Sequence, residues 1–102
     1  SYPVSKDHCL IIPKRHIKDY FDLSKDELIA CYELIKIVKE EILIKDQTVK
    51  GFNLGTNIGK VAGQSILHCH FHLIPRRKGD VERPQGGIRS VIPYKQHYKR
   101  DK

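Results

Sequence analysis

The spacing of apolar and polar residues in the middle of the chain predicts one long amphipathic helix. Ser24 followed three residues later by Glu27 forms a capping-box pattern, which marks the first turn of a helix. From there to Ile42, apolar residues recur at helical spacing, while Glu33 and Lys36 fall on the wetter side. The helix is predicted to have about five turns and to pack on a sheet. Its apolar positions are Leu28, Cys31, Tyr32, Ile35, Val38 and Ile42.

Three shorter segments are predicted to be β-strands. Residues 9–13 form an apolar run between charged residues, and residues 51–55 run into a loop rich in glycine. Apolar and polar residues alternate from His68 to Leu73, and we expect Pro75 to end that strand. Strands before and after a single helix predict an α+β fold, with an antiparallel sheet and one main packing helix.

Length and composition favour one globular domain that covers residues 1–102. The apolar and charged fractions, 39% and 30%, are typical of a folded protein, and no apolar run approaches the roughly 20 residues that span a bilayer. The three cysteines (Cys9, Cys31 and Cys69) are odd in number and widely spaced, which indicates free thiols in a cytoplasmic protein. The sequence contains no methionine, so we expect that an N-terminal portion is missing.

The positive charge is concentrated at the C-terminal end of the chain. The net charge is +7, and residues 76–102 hold nine basic and three acidic residues. This segment is either a solvated basic tail or an electrostatic guide for an anionic ligand such as a polyphosphate. Only Tyr94 and Tyr98 accompany these charges as aromatic residues, so we do not expect a nucleic-acid partner.

The most informative pattern is the run of three histidines at 68, 70 and 72. Residues two apart share a face of a strand, so the imidazoles should line one face and Cys69, Phe71 and Leu73 the packed one. Such a row suits metal binding or nucleophilic chemistry at phosphorus. Neighbours about 6.5–7 Å apart along one straight strand converge poorly on a single metal. His8, His16 or His97 could complete a metal site, so both chemistries stay open.

Residues on either side of the histidines favour phosphorus chemistry. Gly63 lets a backbone amide approach a phosphate closely, and the side chains of Gln64 and Ser65 can hold phosphate oxygens. Arg76 and the two basic residues after it offer cations for an outlying phosphate.

Residues 62–76, Ala-Gly-Gln-Ser-Ile-Leu-His-Cys-His-Phe-His-Leu-Ile-Pro-Arg, resemble the signature of the histidine-triad (HIT) superfamily. That signature has three histidines separated by apolar residues, after a Gly-Gln-Ser/Thr element. Residues 2–5 with His8, followed by residues 10–16, resemble the first characteristic block of the family. Residues 79–93 are similar to a bacterial branch described as diadenosine-polyphosphate hydrolase-like, so the resemblance spans almost all of the chain.

The resemblance implies a role for each histidine of the site. His70 matches the family nucleophile, which attacks the α-phosphorus and becomes transiently nucleotidylated. His68 and His72 match the flanking histidines, which orient the nucleophile and contact phosphate, and His8 matches a histidine near it.

The resemblance also implies substrate contacts. Gln64 and Ser65 match residues that contact the phosphates and the bridging oxygen of the leaving group, and Asn53 matches an asparagine that contacts the nucleotide. Family members usually carry a longer segment before the first block, which helps to build the nucleoside pocket. Asp7 stands where the family often has glycine.

The implied activity is that of a nucleotide-phosphate hydrolase or nucleotidyl transferase. It would cleave diadenosine polyphosphates or nucleoside phosphoramidates at the α-phosphorus through a nucleotidyl-histidine intermediate. The histidine chemistry requires no cofactor and no metal site, although some members use a divalent cation. The family fold is an antiparallel α+β meander, commonly a homodimer whose sheets join. The alternatives are a non-catalytic module that binds nucleotides or proteins, and a metal-dependent enzyme that uses the histidines as ligands.

Overall fold

The computed structural model describes residues 5–97 and contains one helix and three strands of regular length. The strands are β1 (Cys9–Ile11), β2 (Val49–Gly55) and β3 (Phe71–Arg77), and the helix is α1 (Lys25–Lys45). Short 3-10 helices occupy Tyr20–Asp22, Lys60–Ala62 and Gly87–Val91. Residues 2–4, which begin the family-like block, and Tyr98 lie outside the described residues.

The strands form one antiparallel sheet in the order β1-β3-β2, with the histidine-bearing β3 at the centre. Leu10 pairs with His72 on one side of β3, and Gly55 pairs with His72 on the other. The predicted α+β fold with an antiparallel sheet and one main helix is therefore confirmed.

Helix α1 begins where its capping box predicts. The Ser24 hydroxyl accepts a hydrogen bond from the Glu27 amide at 3.1 Å, and the Glu27 carboxylate accepts one from the Ser24 amide at 2.8 Å. The helix has 21 residues, which makes nearly six turns at about 3.6 residues per turn and slightly exceeds the prediction. It ends at Lys45, and the amide of the capping residue Asp46 donates to the Ile42 carbonyl at 2.9 Å.

The core lies between α1 and one face of the sheet. Ile11, Phe71 and Leu73 point from the strands toward buried helix residues Cys31 and Ile42. Cys69, Ile17 and Val49 complete the buried cluster. All three cysteines are free thiols, as predicted, and burial raises the pKa of the Cys69 thiol. Cys69 therefore serves as a packing residue in its neutral form.

The predicted limits of the histidine-bearing strand were wrong at both ends. β3 begins at Phe71 instead of His68, because the amide of Cys69 donates to the Ile17 carbonyl at 2.8 Å rather than to a neighbouring strand. It continues through Pro75 to Arg77. The Pro75 carbonyl accepts a hydrogen bond from the Ser5 hydroxyl at 3.0 Å.

That contact explains why proline is tolerated within the central strand. The nitrogen and carbonyl of one strand residue point to the same side, here the side of β1. β1 does not extend as far as Pro75, because it begins at Cys9, which pairs with Leu73. The proline nitrogen therefore faces no ladder acceptor, and no hydrogen bond is lost.

Two other strand limits also differ from the predictions. β1 ends at Ile11, so Ile12 and Pro13 belong to the following loop, whereas β2 begins two residues before residue 51. Within residues 5–97, no helix has the length and apolar character that crossing a membrane requires.

Candidate active site

Two of the three histidines at 68, 70 and 72 meet side by side at the start of β3. The ring centroids of His70 and His72 lie 5.1 Å apart, with the ring planes at 72°. The His68 ring instead contacts His16, with centroids 4.6 Å apart, and its Nε2 lies 3.2 Å from the Pro13 carbonyl oxygen. The strand alternation that should align all three covers only His72, because β3 starts at Phe71, and the chain before the strand keeps the His70 ring beside His72 but not the His68 ring.

His8 completes the cluster on the side of β1. Its Nε2 lies 3.0 Å from His72 Nδ1, so one ring donates a proton and the other accepts it. Asp7, immediately before it, has φ 66°, in the left-handed region that glycine adopts most easily and that Asp also tolerates. Ion pairs with Lys45 at 3.3 Å and Arg77 at 3.7 Å hold Asp7 in place.

The hydrogen bond of His70 fixes which of its nitrogens is reactive. His70 is 9% exposed, and its Nδ1 lies 2.9 Å from the His68 carbonyl oxygen. A carbonyl can only accept, so Nδ1 carries the proton and donates it. In the neutral ring, Nε2 therefore keeps its lone pair, which is the requirement for a nucleophile.

Thr56 anchors the same residue from the end of β2. Its hydroxyl donates to the His70 carbonyl at 2.6 Å, 14 residues along the chain. The backbone of His70 is thus held by β2 while its ring is held by the His68 carbonyl. Sequence reasoning did not identify Thr56, since a single threonine in a loop carries no signal for this contact.

The cluster favours a neutral His72. Burial lowers the pKa of His72, and the neighbouring His70 and His8 rings lower it further, because adding a proton there would place like charges together. His72 can therefore exchange a proton with His8 without holding a permanent positive charge beside His70.

The loop before the histidines is organised by Gln64, which is 3% exposed. Its Oε1 accepts from the Gly59 amide at 2.9 Å, and its Nε2 donates to the Lys18 carbonyl at 2.6 Å and to that of Ile66 at 3.2 Å. The Gln64 side chain thus joins three backbone segments, an organising role that its position in a phosphate-binding motif does not predict.

The other two residues of the predicted Gly-Gln-Ser element lie in the same loop. Gly63 has φ 96°, which L side chains rarely adopt, and Ser65 is exposed. The substrate contacts predicted for Gly63, Gln64 and Ser65 stay predictions.

Asn53 and Arg76 contact each other on the sheet face that α1 leaves uncovered. Arg76 Nη1 donates to Asn53 Oδ1 at 2.6 Å, and Arg76 also forms a two-pronged ion pair with Asp80, with distances of 2.8 and 2.9 Å. Arg77 instead pairs with Asp46 at 3.0 Å. Two of the three cations expected to serve an outlying phosphate are therefore ion-paired.

Among residues 5–97, no group of three or more His, Cys, Asp and Glu side chains has an arrangement that could hold a metal ion. Five of the six histidines divide instead into the cluster of His8, His70 and His72 and the pair of His16 and His68, while His97 contacts the Arg83 carbonyl.

The fold and the cluster define a class of α+β domain in which an oriented imidazole lies immediately before the central strand of an antiparallel sheet. Residues 1–79 match the model of the HIT domain, and the chain belongs to that family. An uncharacterized HIT-like protein of Methanocaldococcus jannaschii is 42% identical over 81 residues, 78% of this chain and 60% of the relative.

A crystal structure shares this fold. It is that of a hypothetical histidine triad nucleotide-binding protein from Sulfolobus tokodaii, with a TM-score of 0.72 and 42% identity. The match covers 78% of this chain and 52% of that one. The chain thus spans 52–60% of the lengths of these two relatives.

Two similar proteins of Schizosaccharomyces pombe are named for reactions. An adenosine 5'-monophosphoramidase is 35% identical over 74 residues, which is 72% of this chain and 52% of the relative. A bis(5'-nucleosyl)-tetraphosphatase (asymmetrical) is 33% identical over 78 residues, which is 76% of this chain and 42% of the relative. The family therefore includes proteins named as nucleotide hydrolases.

Proposed function

We propose that this protein is a nucleotide-phosphate hydrolase or nucleotidyl transferase that works through His70. The observation that carries the proposal is the bond from His70 Nδ1 to the His68 carbonyl, which leaves Nε2 as the free base. A buried imidazole held in one tautomer beside a hydrogen-bonded pair of histidines suits covalent catalysis at phosphorus. An isolated structural histidine would not need this arrangement.

In the first step, His70 Nε2 attacks the α-phosphorus of the nucleotide. A nitrogen–phosphorus bond forms, and the bond from phosphorus to the leaving oxygen or nitrogen breaks. The leaving group keeps the electron pair and takes up a proton, which we assign to the His8–His72 pair beside His70 in its singly protonated, cationic form. The product is a nucleotidylated His70.

In the second step, water attacks the same phosphorus and returns its proton to the histidine pair. The nitrogen–phosphorus bond breaks, its electrons return to Nε2, and a nucleoside monophosphate leaves. If another acceptor replaces water, the same site is a transferase. These steps require no cofactor, and we extend that expectation to the protein. A divalent cation remains an optional addition that would neutralise negative charge on the substrate.

We further propose diadenosine polyphosphates and adenosine phosphoramidates as substrates. Both present the same α-phosphorus and differ only in the leaving group. Support comes from the two fission yeast relatives named for such reactions and from the similarity of residues 79–93 to the diadenosine-polyphosphate hydrolase-like branch. Cytoplasmic location is part of the same proposal.

A homodimer is the proposed assembly. β2 is an edge strand of the described sheet, and an apolar cleft of about 500 Å³ lies between α1 and the end of β2. Leu28, Tyr32 and Leu54 line this cleft and are exposed. An open strand edge beside an apolar helix face supports pairing of the two sheets in a dimer.

The proposed function is tested by His70→Ala with a diadenosine polyphosphate and an adenosine phosphoramidate as substrates. We expect release of the monophosphate to slow by at least ~10³-fold, because the covalent nucleophile is lost. His97→Ala is the matched control, since His97 is exposed and contacts the Arg83 carbonyl, far along the chain from the cluster.

Quenched reactions should also yield intact protein whose mass is increased by one nucleotidyl group in the wild type and not in His70→Ala. Activity retained by His70→Ala would rule out the mechanism. Binding of adenosine phosphates without any turnover by the wild type would support the non-catalytic alternative. Activity abolished by a chelator and restored by a metal would support the metal-dependent one.

A further inference from the structure

The interaction between Asn53 and Arg76 has a direction that fixes the orientation of the asparagine amide. The Nη1 of arginine can only donate a hydrogen bond, so the Asn53 atom 2.6 Å from it is the acceptor Oδ1. The Nδ2 group lies on the other side of the planar amide. Within residues 5–97, no side chain or backbone group accepts a hydrogen bond from it, and Asn53 is exposed.

The register of the sheet places this amide on the same face as the catalytic cluster. His72 and Arg76 both lie on the face of β3 that α1 leaves uncovered, on either side of Ile74. Asn53 pairs with Ile74, and Gly55 pairs with His72. Because Oδ1 points to Arg76, Nδ2 is turned away from Arg76, and Gly55 and His72 lie on the other side of Asn53 along this face.

The side-chain-free Gly55 leaves space between Asn53 and His72. A Cβ added to Gly55 would meet no heavy atom within 4 Å. A ligand on this face could therefore contact the Asn53 amide and the histidine cluster together. An NH₂ group that faces such a space selects an oxygen acceptor, such as a phosphate or a ribose hydroxyl.

Arg76 is itself restrained by Asp80. Its Nε donates to one Asp80 oxygen at 2.8 Å and its Nη2 to the other at 2.9 Å, a two-pronged geometry that fixes the guanidinium plane. The hydrogen bonds from Arg76 hold the pKa of the Asp80 carboxyl well below its ordinary value, so this carboxylate stays charged. Asp80 also accepts from the Arg77 amide at 3.0 Å, which ties it to the turn after β3.

We propose that Asp80 and Arg76 are positioning residues that orient the Asn53 amide so that its NH₂ group faces the nucleotide. The inference rests on the proposed function and assigns Arg76 a different task from binding phosphate directly. The positive charge of this guanidinium is already balanced by the Asp80 carboxylate, so its attraction for a distant phosphate is weak. Its directional donors instead determine which end of Asn53 a ligand meets.

The experiment is a double-mutant cycle with Arg76→Lys, Asn53→Ala and the combined variant. Lysine keeps the charge, but its single ammonium cannot hold Asp80 in two places and Asn53 as well. We expect Arg76→Lys to lower kcat/KM about tenfold in the wild-type background and less than about twofold in the Asn53→Ala background. The Kd for AMP should show the same non-additivity.

Arg15→Lys is the matched control. Arg15 forms a similar two-pronged pair with Glu27, both distances being 2.8 Å, but it does not contact Asn53. We expect it to leave kcat/KM and the Kd for AMP unchanged. Equal losses from Arg76→Lys in both backgrounds, with a steep dependence on salt, would overturn the proposal and indicate direct contact with phosphate.

A measurement independent of turnover separates this inference from the proposed function. The side-chain NH₂ resonances of Asn53 should broaden or shift toward rotationally averaged positions in Arg76→Lys and in Asp80→Asn, but not in Arg15→Lys. Unchanged Asn53 resonances would overturn the positioning role even in an active enzyme. If the wild type neither turned over nor bound a nucleotide, but the Asn53 resonances still changed in Arg76→Lys and Asp80→Asn, only the proposed function would be refuted.

Discussion

The two groups of histidines in this domain differ in what holds them, although His68 and His72 are equally spaced from His70. His72 lies within β3, where it is paired with Gly55 on one side and with Leu10 on the other, and this central place in the sheet fixes its backbone. The His68 ring lies beside His16, a residue of the loop after β1. Equal spacing along the sequence therefore produces equal geometry only where the strand is formed.

The comparison also separates the side chain of His68 from its backbone. The His68 carbonyl, rather than its imidazole, sets the tautomer of His70. The imidazole of His72, by contrast, contacts the rings of His70 and His8 directly. We therefore expect the two flanking histidines to contribute unequally to the reaction.

The largest difference should appear when each flanking histidine is replaced by asparagine. His72→Asn breaks the pair with His8 and should lower kcat about 10²-fold, the usual contribution of a proton-transfer group. His68→Asn removes the ring contacts with His16 and with the Pro13 carbonyl but keeps the His68 carbonyl, so we expect a loss of less than about tenfold. Steady-state kinetics on one substrate measures both. Equal losses would show that the two histidines act as one symmetric row.

An intermediate effect is expected for Thr56→Val, which tests how far the anchor on the His70 backbone matters. Valine has nearly the same shape but cannot donate to the His70 carbonyl, which then lacks this partner. We expect kcat to fall about tenfold with little change in KM, and the free energy of unfolding to fall by about 1 kcal/mol. Thr56→Ser keeps the hydroxyl and should restore both. A Thr56→Ser variant as impaired as Thr56→Val would point to packing of the methyl group instead.

The smallest effect should be a pH dependence of stability that His72 carries. Its pKa lies below the ordinary value of 6.5 in the folded protein, so the unfolded chain binds the proton first as the pH falls. The free energy of unfolding should therefore decrease as the pH drops below about 6.5, whereas the contribution is complete above it. Urea unfolding at several pH values should show a smaller decrease in His72→Asn than in the wild type.

The ion pair of Glu27 with Arg15 does not interfere with that measurement. The hydrogen bond from Arg15 lowers the pKa of Glu27 from 4.5 to about 2, so this carboxylate begins to lose its proton-linked contribution only as the pH falls below about 4.5. Identical slopes for His72→Asn and the wild type between neutral pH and the onset of carboxylate titration would show that another group dominates.

Local signals predicted the helix, whereas long-range contacts decided the details of the site. Ser24 and Glu27 are three residues apart, so the capping box could be identified before the structure was known. The start of β3 at Phe71 depends on a hydrogen bond between Cys69 and Ile17, 52 positions apart, which periodicity cannot indicate. The histidine cluster was predictable in its members His70, His72 and His8, but not in the separation of His68.

The contacts of Asn53 on the uncovered sheet face also depend on positions that are distant in the sequence. The pair of Arg76 and Asp80 has a spacing of four residues and could have been suspected from the sequence. Its connection to Asn53 could not, because that contact joins positions 23 residues apart through the register of two strands.

The buried amide of Gln64 has a consequence for how related chains are interpreted. Because it needs both an acceptor and donors to join Gly59, Lys18 and Ile66, neither glutamate nor leucine could replace it without leaving backbone groups unpaired. The loop would still require a side chain that both accepts and donates hydrogen bonds at this position in a chain that had lost the proposed nucleophile. A glutamine at this position is therefore a marker of the folded loop, whereas the proposed activity has to be judged from the residue at position 70.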